Sequence, residues 1–464
     1  MKMGTDWVKA ATRAGLALAL LAVCAVLPPA IHQALHYCPL RPDGVGPAYA
    51  LPAFSRKYKL SCAQCHSGFP VLNAYGRQFK MNGYVREAGS SDGVLKSQDR
   101  ELATETIFPW ALIVRSRPID NGKGTISNQG AQMGGTASPN SNGFKTEPLN
   151  DVDFFVAGGD AARHISFFGE IDANANSATT FQPSLGDLRL GYHPSAFWNV
   201  VAARRGFFAD DPYQTIVSNE TPTIANRATD LALADQHSIS GNALLATQQA
   251  MYAYGLVNLS GDSFLYYAAG ATKDSDQGNQ YTSPTNGNAR LAFDNGKGLM
   301  VGAFGTFGHE RADTDGSGGN LGVDNGAGVT QSFQRGGFDA LYEIGDWAAR
   351  AAFAYTHDRD SFLNVNDTDR AAYAELAYYY KRGHMYPFLV PLVRENWYTT
   401  FNGTSQFNYV TAQLAHYFAP NLKAFVEYSV DTKRDFQNGA LVPPTPGVLA
   451  MRGNRITTQI EVGF

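Results

Sequence analysis

The chain has 464 residues, of which 12% are aromatic and 17% are charged, and its formal net charge is −4. The many aromatic residues and the small net charge exclude an intrinsically disordered chain, and no basic excess points to nucleic acid. A mean hydropathy of −0.24, with no run of about 18 apolar residues past the N-terminal 30, excludes a bundle of membrane-spanning helices. A soluble β-rich protein and a transmembrane β-barrel remain.

The first 50 residues have the pattern of an export signal. Basic residues precede the apolar run 14–27, which is short for a membrane-spanning helix. An Ala-x-Ala sequence predicts cleavage after Ala50, and Pro28-Pro29-Ala30 offers a second site at a more usual distance from the apolar run. We therefore divide the chain into an export segment (1–50), a haem segment with its linker (51–100) and a barrel region (101–464).

Residues 62–66, Cys-Ala-Gln-Cys-His, match the pattern at which c-type haem is attached. The thiols of Cys62 and Cys65 can each form a thioether with a porphyrin vinyl group, and the imidazole of His66 can bind the iron. A disulfide or half of a zinc site would also use two cysteines, but zinc lacks a second Cys-x-x-Cys and neither needs the adjacent histidine. We expect one covalent haem c, with Met81 as the nearest candidate for the sixth iron ligand or with that position open.

The surroundings of the motif predict two short helices. Ser61 is expected to cap the first, and Pro70 to begin a second that ends at Asn82-Gly83. The segment 51–86 has about 36 residues, and chains shorter than roughly 40 residues need metals or partners to fold. Another part of the chain must therefore enclose it. Its basic side chains have no acidic neighbours up to residue 86 and can meet haem propionates or an acidic wall: Arg56, Lys57, Lys59, Arg77, Lys80 and Arg86.

From about residue 104 onward, short segments of alternating polarity recur. In the last one, 455–464, Ile456 and Ile460 lie on one face and Gln459 and Glu461 on the other. Apolar-out and polar-in alternation is typical of transmembrane β-barrels, and a terminal Phe is typical of those in outer membranes. A soluble β-sandwich would also alternate, but without a lipid-suited face on nearly every strand. The pattern predicts sixteen strands, near 105–117, 150–158, 164–173, 183–193, 196–206, 249–259, 263–272, 287–293, 299–308, 332–344, 347–357, 370–381, 385–398, 407–418, 422–432 and 454–464.

The predicted fold is all-β: a 16-stranded antiparallel transmembrane β-barrel whose lumen is plugged by a small α-helical monohaem cytochrome c segment. Pro387 and Pro391 predict a bend or bulge in their strand. Acidic residues in the long loops, among them Asp210 and Asp211, either concentrate divalent cations at the mouth or belong to ordinary solvated loops. Inward-facing carboxylates are expected to receive the cations of the plug: Asp339, Glu343, Glu375, Glu427 and Glu461.

Several stretches around the haem motif resemble the fused outer-membrane cytochrome-porins of iron-oxidising bacteria. They are 51–58, the 62–66 motif, Phe69-Pro70-Val71-Leu72-Asn73 and 76–84. The resemblance implies one covalent haem, and electron transfer from extracellular Fe(II) across the outer membrane to a periplasmic cytochrome or copper protein. No barrel residue is carried over, and because no bond-making chemistry is implied, no catalytic residue is expected.

Two other functions stay open. A solute-conducting porin, with the haem segment as a sensor or structural plug, would pass small solutes. A haem enzyme such as a peroxidase would need a polar His or Arg beside an open iron face, and the sequence offers no such motif. In each case the sequence places the chain in the bacterial outer membrane, with the haem segment on the periplasmic side or inside the lumen.

Overall fold

The computed structural model describes the plug and the barrel wall. The predicted export segment, the cleavage after Ala50 and the linker after residue 85 lie outside the described residues. Those residues are 52–58, 60–85, 110–120, 145–160, 164–177, 180–217, 222–225, 227–229, 249–273, 285–311, 330–360, 365–381, 386–400, 402–403, 405–436 and 455–464.

Sixteen antiparallel strands form a closed barrel, as the sequence predicts. Each strand pairs with its neighbours in chain order, and the last closes the barrel by pairing with the first. The strands are β1 (Trp110–Asp120), β2 (Lys145–Asp160), β3 (Ile165–Ser177), β4 (Thr180–Tyr192), β5 (Asn199–Arg204), β6 (Gln249–Ser260), β7 (Ser263–Lys273), β8 (Thr285–Asp294), β9 (Leu299–Arg311), β10 (Thr330–Ile344), β11 (Trp347–Asp360), β12 (Val365–Tyr378, continued by Tyr380–Lys381), β13 (Pro387–Thr400), β14 (Ser405–Ala419), β15 (Leu422–Phe436) and β16 (Arg455–Gly463).

The barrel has two different ends. Tight connections, such as residues 261–262 between β6 and β7 and 345–346 between β10 and β11, mark what we call the turn end. The longer connections lie at the opposite end, the loop end. Several strands run further toward the loop end than predicted: β2 begins at Lys145 instead of 150, and β15 reaches Phe436 instead of 432. The predicted residues 105–109 of the first strand lie outside the described part.

The wall is polar inside and apolar outside. On β11, Arg350 and Thr356 are buried in the lumen, whereas Phe353 is 42% exposed on the outer face. On β16, Glu461 is buried and Ile460 is 43% exposed. This is the reverse of a water-soluble protein and suits a surface surrounded by lipid.

The irregularity predicted from the two prolines affects only one side of β13. Pro391 pairs with Leu414 of β14 without a shift in register. On the other side β12 is interrupted at Tyr379, whose amide donates instead to the carbonyl of Asp346 (2.8 Å). At the end of this ladder Tyr380 pairs with Leu389 and Lys381 with Pro387, so Phe388 is one extra residue of β13 and forms a bulge of the predicted kind.

Short helices lie in the lumen that the barrel wall encloses. The N-terminal segment, residues 52–85, contains α1 (Pro52–Tyr58), α2 (Cys62–Cys65) and α3 (Ala74–Met81), with a small hairpin of His66–Gly68 and Val71–Leu72. The fourth, α4 (Phe207–Asp210), begins a longer stretch described below. Among the described residues, none of the helices has the length and apolar character needed to cross a bilayer.

The N-terminal segment occupies the lumen at the turn end. The carbonyl of Phe69 accepts hydrogen bonds from Tyr417 Oη (2.8 Å) and Lys423 Nζ (3.0 Å), on β14 and β15. Ser67 donates to Glu343 at the end of β10 (3.1 Å). The predicted plug therefore has its counterpart in the structure, as a folded segment held by lumen-facing side chains.

A second segment enters the lumen from the wall. We call residues 205–217, 222–225 and 227–229 the inserted loop; the amides of Ile224 and Ala225 donate to the carboxylate of Glu427 (2.8 and 2.7 Å). The sequence predicts an exposed loop here, with Asp210 and Asp211 at the mouth. That expectation is wrong for both residues, which are buried beside the guanidinium groups of Arg189 and Arg290.

Candidate functional site: a cavity beside the Cys-x-x-Cys-His motif

The two cysteines of the motif lie one helical turn apart on α2. Ser61 occupies the N-cap position, but its side chain makes no capping bond, so the predicted cap is not formed by its hydroxyl. Cys62 and Cys65 are not joined in a disulfide. Burial, with a smaller contribution from Cys62, raises the pKa of Cys65 to about 12.

The ring of His66 is oriented by a backbone carbonyl. Its Nδ1 lies 3.1 Å from the carbonyl oxygen of Pro70. A carbonyl only accepts hydrogen bonds, so Nδ1 must carry the proton and Nε2 keeps its lone pair. A backbone partner on one nitrogen is the usual way in which a metal-binding histidine is oriented.

Asn73 ties the motif to the following helix. Its side chain accepts from the amide of Gly76 (2.9 Å) and donates to the carbonyl of Ala63 (3.1 Å), and its own amide donates to Cys65 (2.9 Å). It is therefore the N-cap of α3, and the predicted helix start at Pro70 is wrong by four residues because Pro70 lies in the hairpin turn. Gly76 allows the close approach, since a Cβ there would lie 2.1 Å from the carbonyl oxygen of Cys65.

The end of α3 agrees with the prediction and contacts the wall. Asn82 is the C-cap, and Gly83 follows with φ of 70°. Gly83 packs on His193, in the connection between β4 and β5, which also contacts Ser166 (2.6 Å) and Asn199 (3.1 Å). Burial, together with the charge of Arg189, lowers the pKa of His193 to about 4.

A cavity with an empty volume of about 1310 Å³, part of it open to solvent, lies between the N-terminal segment and the barrel wall. Ligand pockets are commonly lined mostly by apolar side chains. Cys62, Cys65 and His66 all line this cavity. Most of the remaining lining is aromatic or aliphatic and comes from both the N-terminal segment and the barrel wall. It includes Phe54, Leu60, Phe69, Leu72, Phe79, Tyr84, Ile113, Phe155 and Phe168.

Charged groups line the same cavity. Lys80, Arg115 and Arg205 supply three cations, and Glu170 supplies one carboxylate. Arg205 pairs with Asp187 at 2.5 Å. Glu170 belongs to a group of carboxylates on β2 and β3, with Asp153 and Asp172, whose oxygens lie within 4.8 Å of one another. Sequence reasoning missed this group because its members lie on two strands with no recognisable spacing.

The residues present fit a covalent haem c. Two cysteines that are not joined in a disulfide, the imidazole of His66 and an aromatic enclosure meet at one cavity, and three cationic side chains line it as well. Cys62 and Cys65 would form the thioethers, His66 would bind the iron, and Lys80, Arg115 and Arg205 would face the propionates. Of the described residues that line the cavity, His66 is the one histidine.

Met81 is not brought to this cavity. Its side chain is 1% exposed and belongs to a buried cluster on the other side of α3, where its carbonyl accepts from Tyr254 Oη (2.6 Å). One residue along a helix is a rotation of about 100°, which turns Met81 away from the face that carries Lys80. The structure thus leaves the predicted distal ligand outside the lining of the cavity.

A predicted pair between a plug cation and a lumen carboxylate is seen among the described residues, at Arg77 and Glu343. Arg77 lies 3.9 Å from Glu343 and 3.3 Å from Asp294, which the sequence analysis had not selected. Asp294 directly precedes a tight turn, so its local sequence does not predict an ion pair with the plug. The other four predicted carboxylates bind barrel cations or the inserted loop: Asp339 pairs with Arg290, Glu375 with Arg350 and Arg394, Glu461 with Lys423, and Glu427 with loop amides.

Comparison with known proteins identifies the barrel architecture. The anion-selective porin from Comamonas acidovorans superposes with a TM-score of 0.50 at 10% identity, over 76% of this chain and 98% of the porin. OmpF from Salmonella typhi, in complex with daunomycin, superposes with a TM-score of 0.48 at 12% identity, over 76% of this chain and 97% of OmpF. The sequence matches no protein-family model and no curated protein. The likeness to the Comamonas porin shows a porin-like fold.

Proposed function

We propose that this protein passes single electrons across the bacterial outer membrane, from an extracellular donor such as Fe(II) to a periplasmic cytochrome or copper protein, with one haem c held by Cys62, Cys65 and His66. The observation that carries the proposal is the convergence of these three side chains on one aromatic cavity inside the barrel. The resemblance of 51–84 to the cytochrome-porins of iron-oxidising bacteria supports the choice of donor. When bound, the haem would supply an iron that accepts and returns one electron.

The chain's own residues perform three tasks in this proposal. Cys62 and Cys65 fix the cofactor, and the Pro70 carbonyl orients the His66 ring. Apolar side chains from both the plug and the wall make up much of the cavity lining, and an apolar environment is one way in which a protein tunes a redox potential. The location within the barrel addresses a physical problem, because about 30 Å of hydrocarbon otherwise separates the two aqueous sides.

The test is a reduction assay with defined sidedness. The haem-loaded protein is reconstituted into liposomes with the loop end outward, and Fe(II) is added outside while the absorbance of the haem is followed. We expect reduction from the loop side, and none in liposomes that carry a Cys62→Ser, Cys65→Ser variant. A haem that stays oxidised with Fe(II) outside, although a membrane-permeant reductant reduces it, would overturn the proposal.

A solute-conducting porin is the second candidate, and the fold shared with the Comamonas porin favours it. The filled lumen argues in the other direction, because the N-terminal segment and the inserted loop both occupy the space through which a solute would pass. Current through a planar lipid bilayer separates the two candidates. A conduit stays closed, whereas a porin conducts ions with its plug in place.

A further inference from the structure

A line of buried aromatic rings leaves the candidate haem cavity toward the loop end. It starts at Tyr84, which lines the cavity. The guanidinium carbon of Arg189 lies 5.9 Å from the centre of the Tyr84 ring, and its Nη2 donates to Tyr254 Oη at 3.2 Å. Arg189 therefore bridges a ring of the N-terminal segment to a ring of the barrel wall.

The line continues through the wall and the inserted loop. The ring of Tyr252 lies 5.9 Å from that of Tyr254 and 5.2 Å from that of Phe207 on α4. Phe208 follows at 4.8 Å, and Phe304 of β9 at a further 5.4 Å. We call these rings the ring column: Tyr84, Tyr254, Tyr252, Phe207, Phe208 and Phe304.

The column has a direction within the barrel. Its first member contacts the cavity near the turn end, whereas Tyr252 lies near the start of β6, at the loop end of that strand. The buried cluster that contains its wall and loop members extends to Tyr398 and Tyr409, on the loop-end portions of β13 and β14. The six rings are at most 7% exposed, and the last of them, Phe304, lies near the middle of β9.

Close packing of the rings affects the rate at which an electron can cross them. Electronic coupling between two redox centres falls with distance, and it falls faster across empty space than across bonded or contacting atoms. Aromatic rings at centre separations of about 4.5–7 Å are in van der Waals contact, and every ring-to-ring step from Tyr254 to Phe304 is within that range. An open, water-filled porin lumen would offer no such chain of contacts.

We propose that the ring column is the path by which an electron from the loop end reaches the cavity. The inference rests on the proposed function, since it supplies the route which that function needs. The donor Fe(II) loses one electron and becomes Fe(III), the ferric haem iron gains it, and the rings are a bridge with no net change. The phenol of Tyr252, which donates to Asp210, keeps its proton throughout.

The experiment injects the electron by light, so that it does not depend on Fe(II). A ruthenium photosensitiser is attached to Cys in a Ser332→Cys variant of the haem-loaded protein, where Ser332 is exposed at the loop end of β10. Transient absorption then gives the rate at which the haem is reduced. Phe207→Leu and Phe304→Leu each remove a ring from the column while keeping an apolar side chain. Phe425→Leu removes an equally buried ring that belongs to a separate cluster.

We expect both column variants to slow the transfer several-fold, and Phe425→Leu and Tyr252→Phe to keep the parent rate, because neither removes a column ring. Parent rates in both column variants, or no transfer in the parent, would overturn the inference. A slower rate in Tyr252→Phe would also contradict it, since the phenol would then take part. If Phe207→Leu fails to fold, Phe304→Leu still decides. Light-driven transfer through the column with no reduction by external Fe(II) would refute the proposed donor and leave the path standing.

Discussion

Asn73 joins the haem motif and α3 through three hydrogen bonds, and this makes it the residue on which the local geometry of the site depends. Replacing it with Ala removes the N-cap and the bond to Ala63, and loss of an N-cap costs about 0.5–2 kcal/mol. We expect faster hydrogen exchange at the amides of α3. Asn73→Asp keeps the accepting oxygen, so its α3 amides should exchange more slowly than those of the Ala variant. Gln78→Ala, on the exposed face of α3, should leave the exchange rates at parent values. Equal exchange in the Ala and Gln78 variants would contradict this role.

His193 predicts a dependence of stability on pH. Its pKa is about 4 in the folded chain and about 6.5 in an unfolded one, so the unfolded chain binds the extra proton between these values. The neutral imidazole therefore contributes its full stability above pH 6.5, and this contribution is lost as pH falls toward 4. Chemical unfolding at several pH values should show a smaller loss on acidification for His193→Gln than for the parent. Parallel pH profiles would refute the prediction.

At the scale of elements, α3 is docked by a buried ion pair between Arg77 and Asp294, whose side chains are 3% and 2% exposed. Removing one partner of a buried pair costs about 3–5 kcal/mol, because the remaining charge is left without compensation. Asp294→Asn should therefore loosen the N-terminal segment, with the effect moderated by Glu343 near Arg77. We expect an increased ionic current across planar bilayers.

The matched control for that variant is Asp346→Asn. Asp346 pairs with Lys381 at 2.9 Å, but both side chains are more than a third exposed. Exposed pairs contribute about 0–1 kcal/mol, so this variant should leave the current and the stability at parent values. An unchanged current in Asp294→Asn would mean that the ion pair does not hold the segment in place.

The strands were predictable because lipid and lumen impose opposite polarity on successive side chains, as at Phe353 and Arg350 of β11. Their loop-end extensions were not, since near Lys145 and Phe436 the backbone ladder continues where that alternation is lost. The inserted loop was also not predictable, because Asp210 and Asp211 look like solvated loop residues until Arg189 and Arg290 are placed beside them. Local patterns predict strands, but partners far apart in the chain have no local signal.

The same distinction holds for the candidate site. The spacing of Cys62, Cys65 and His66 is enough to predict haem attachment, and the structure brings these three residues to one cavity. The opposite wall of that cavity, with Phe155 and Phe168, comes from strands whose inward positions are known only once the barrel closes. Met81 was chosen for its closeness in sequence, and the phase of α3 turns it away.

At the scale of the whole molecule, two described parts of the chain lie in the lumen. The N-terminal segment occupies the turn end, and the inserted loop is held by Glu427 and Arg394. The parent protein should therefore pass no steady current in planar bilayers. Porin-like currents in the untreated protein would contradict a closed lumen and favour the solute channel.

The central claim of the account is that one haem is bound covalently inside this barrel. Intact-mass spectrometry of the detergent-extracted protein, expressed with c-type haem maturation, tests it most directly. The account predicts the mass of the chain plus one haem, with none retained when Cys62 and Cys65 are both replaced by Ser. A chain at the mass of its amino acids alone, in a correctly folded barrel, would contradict it.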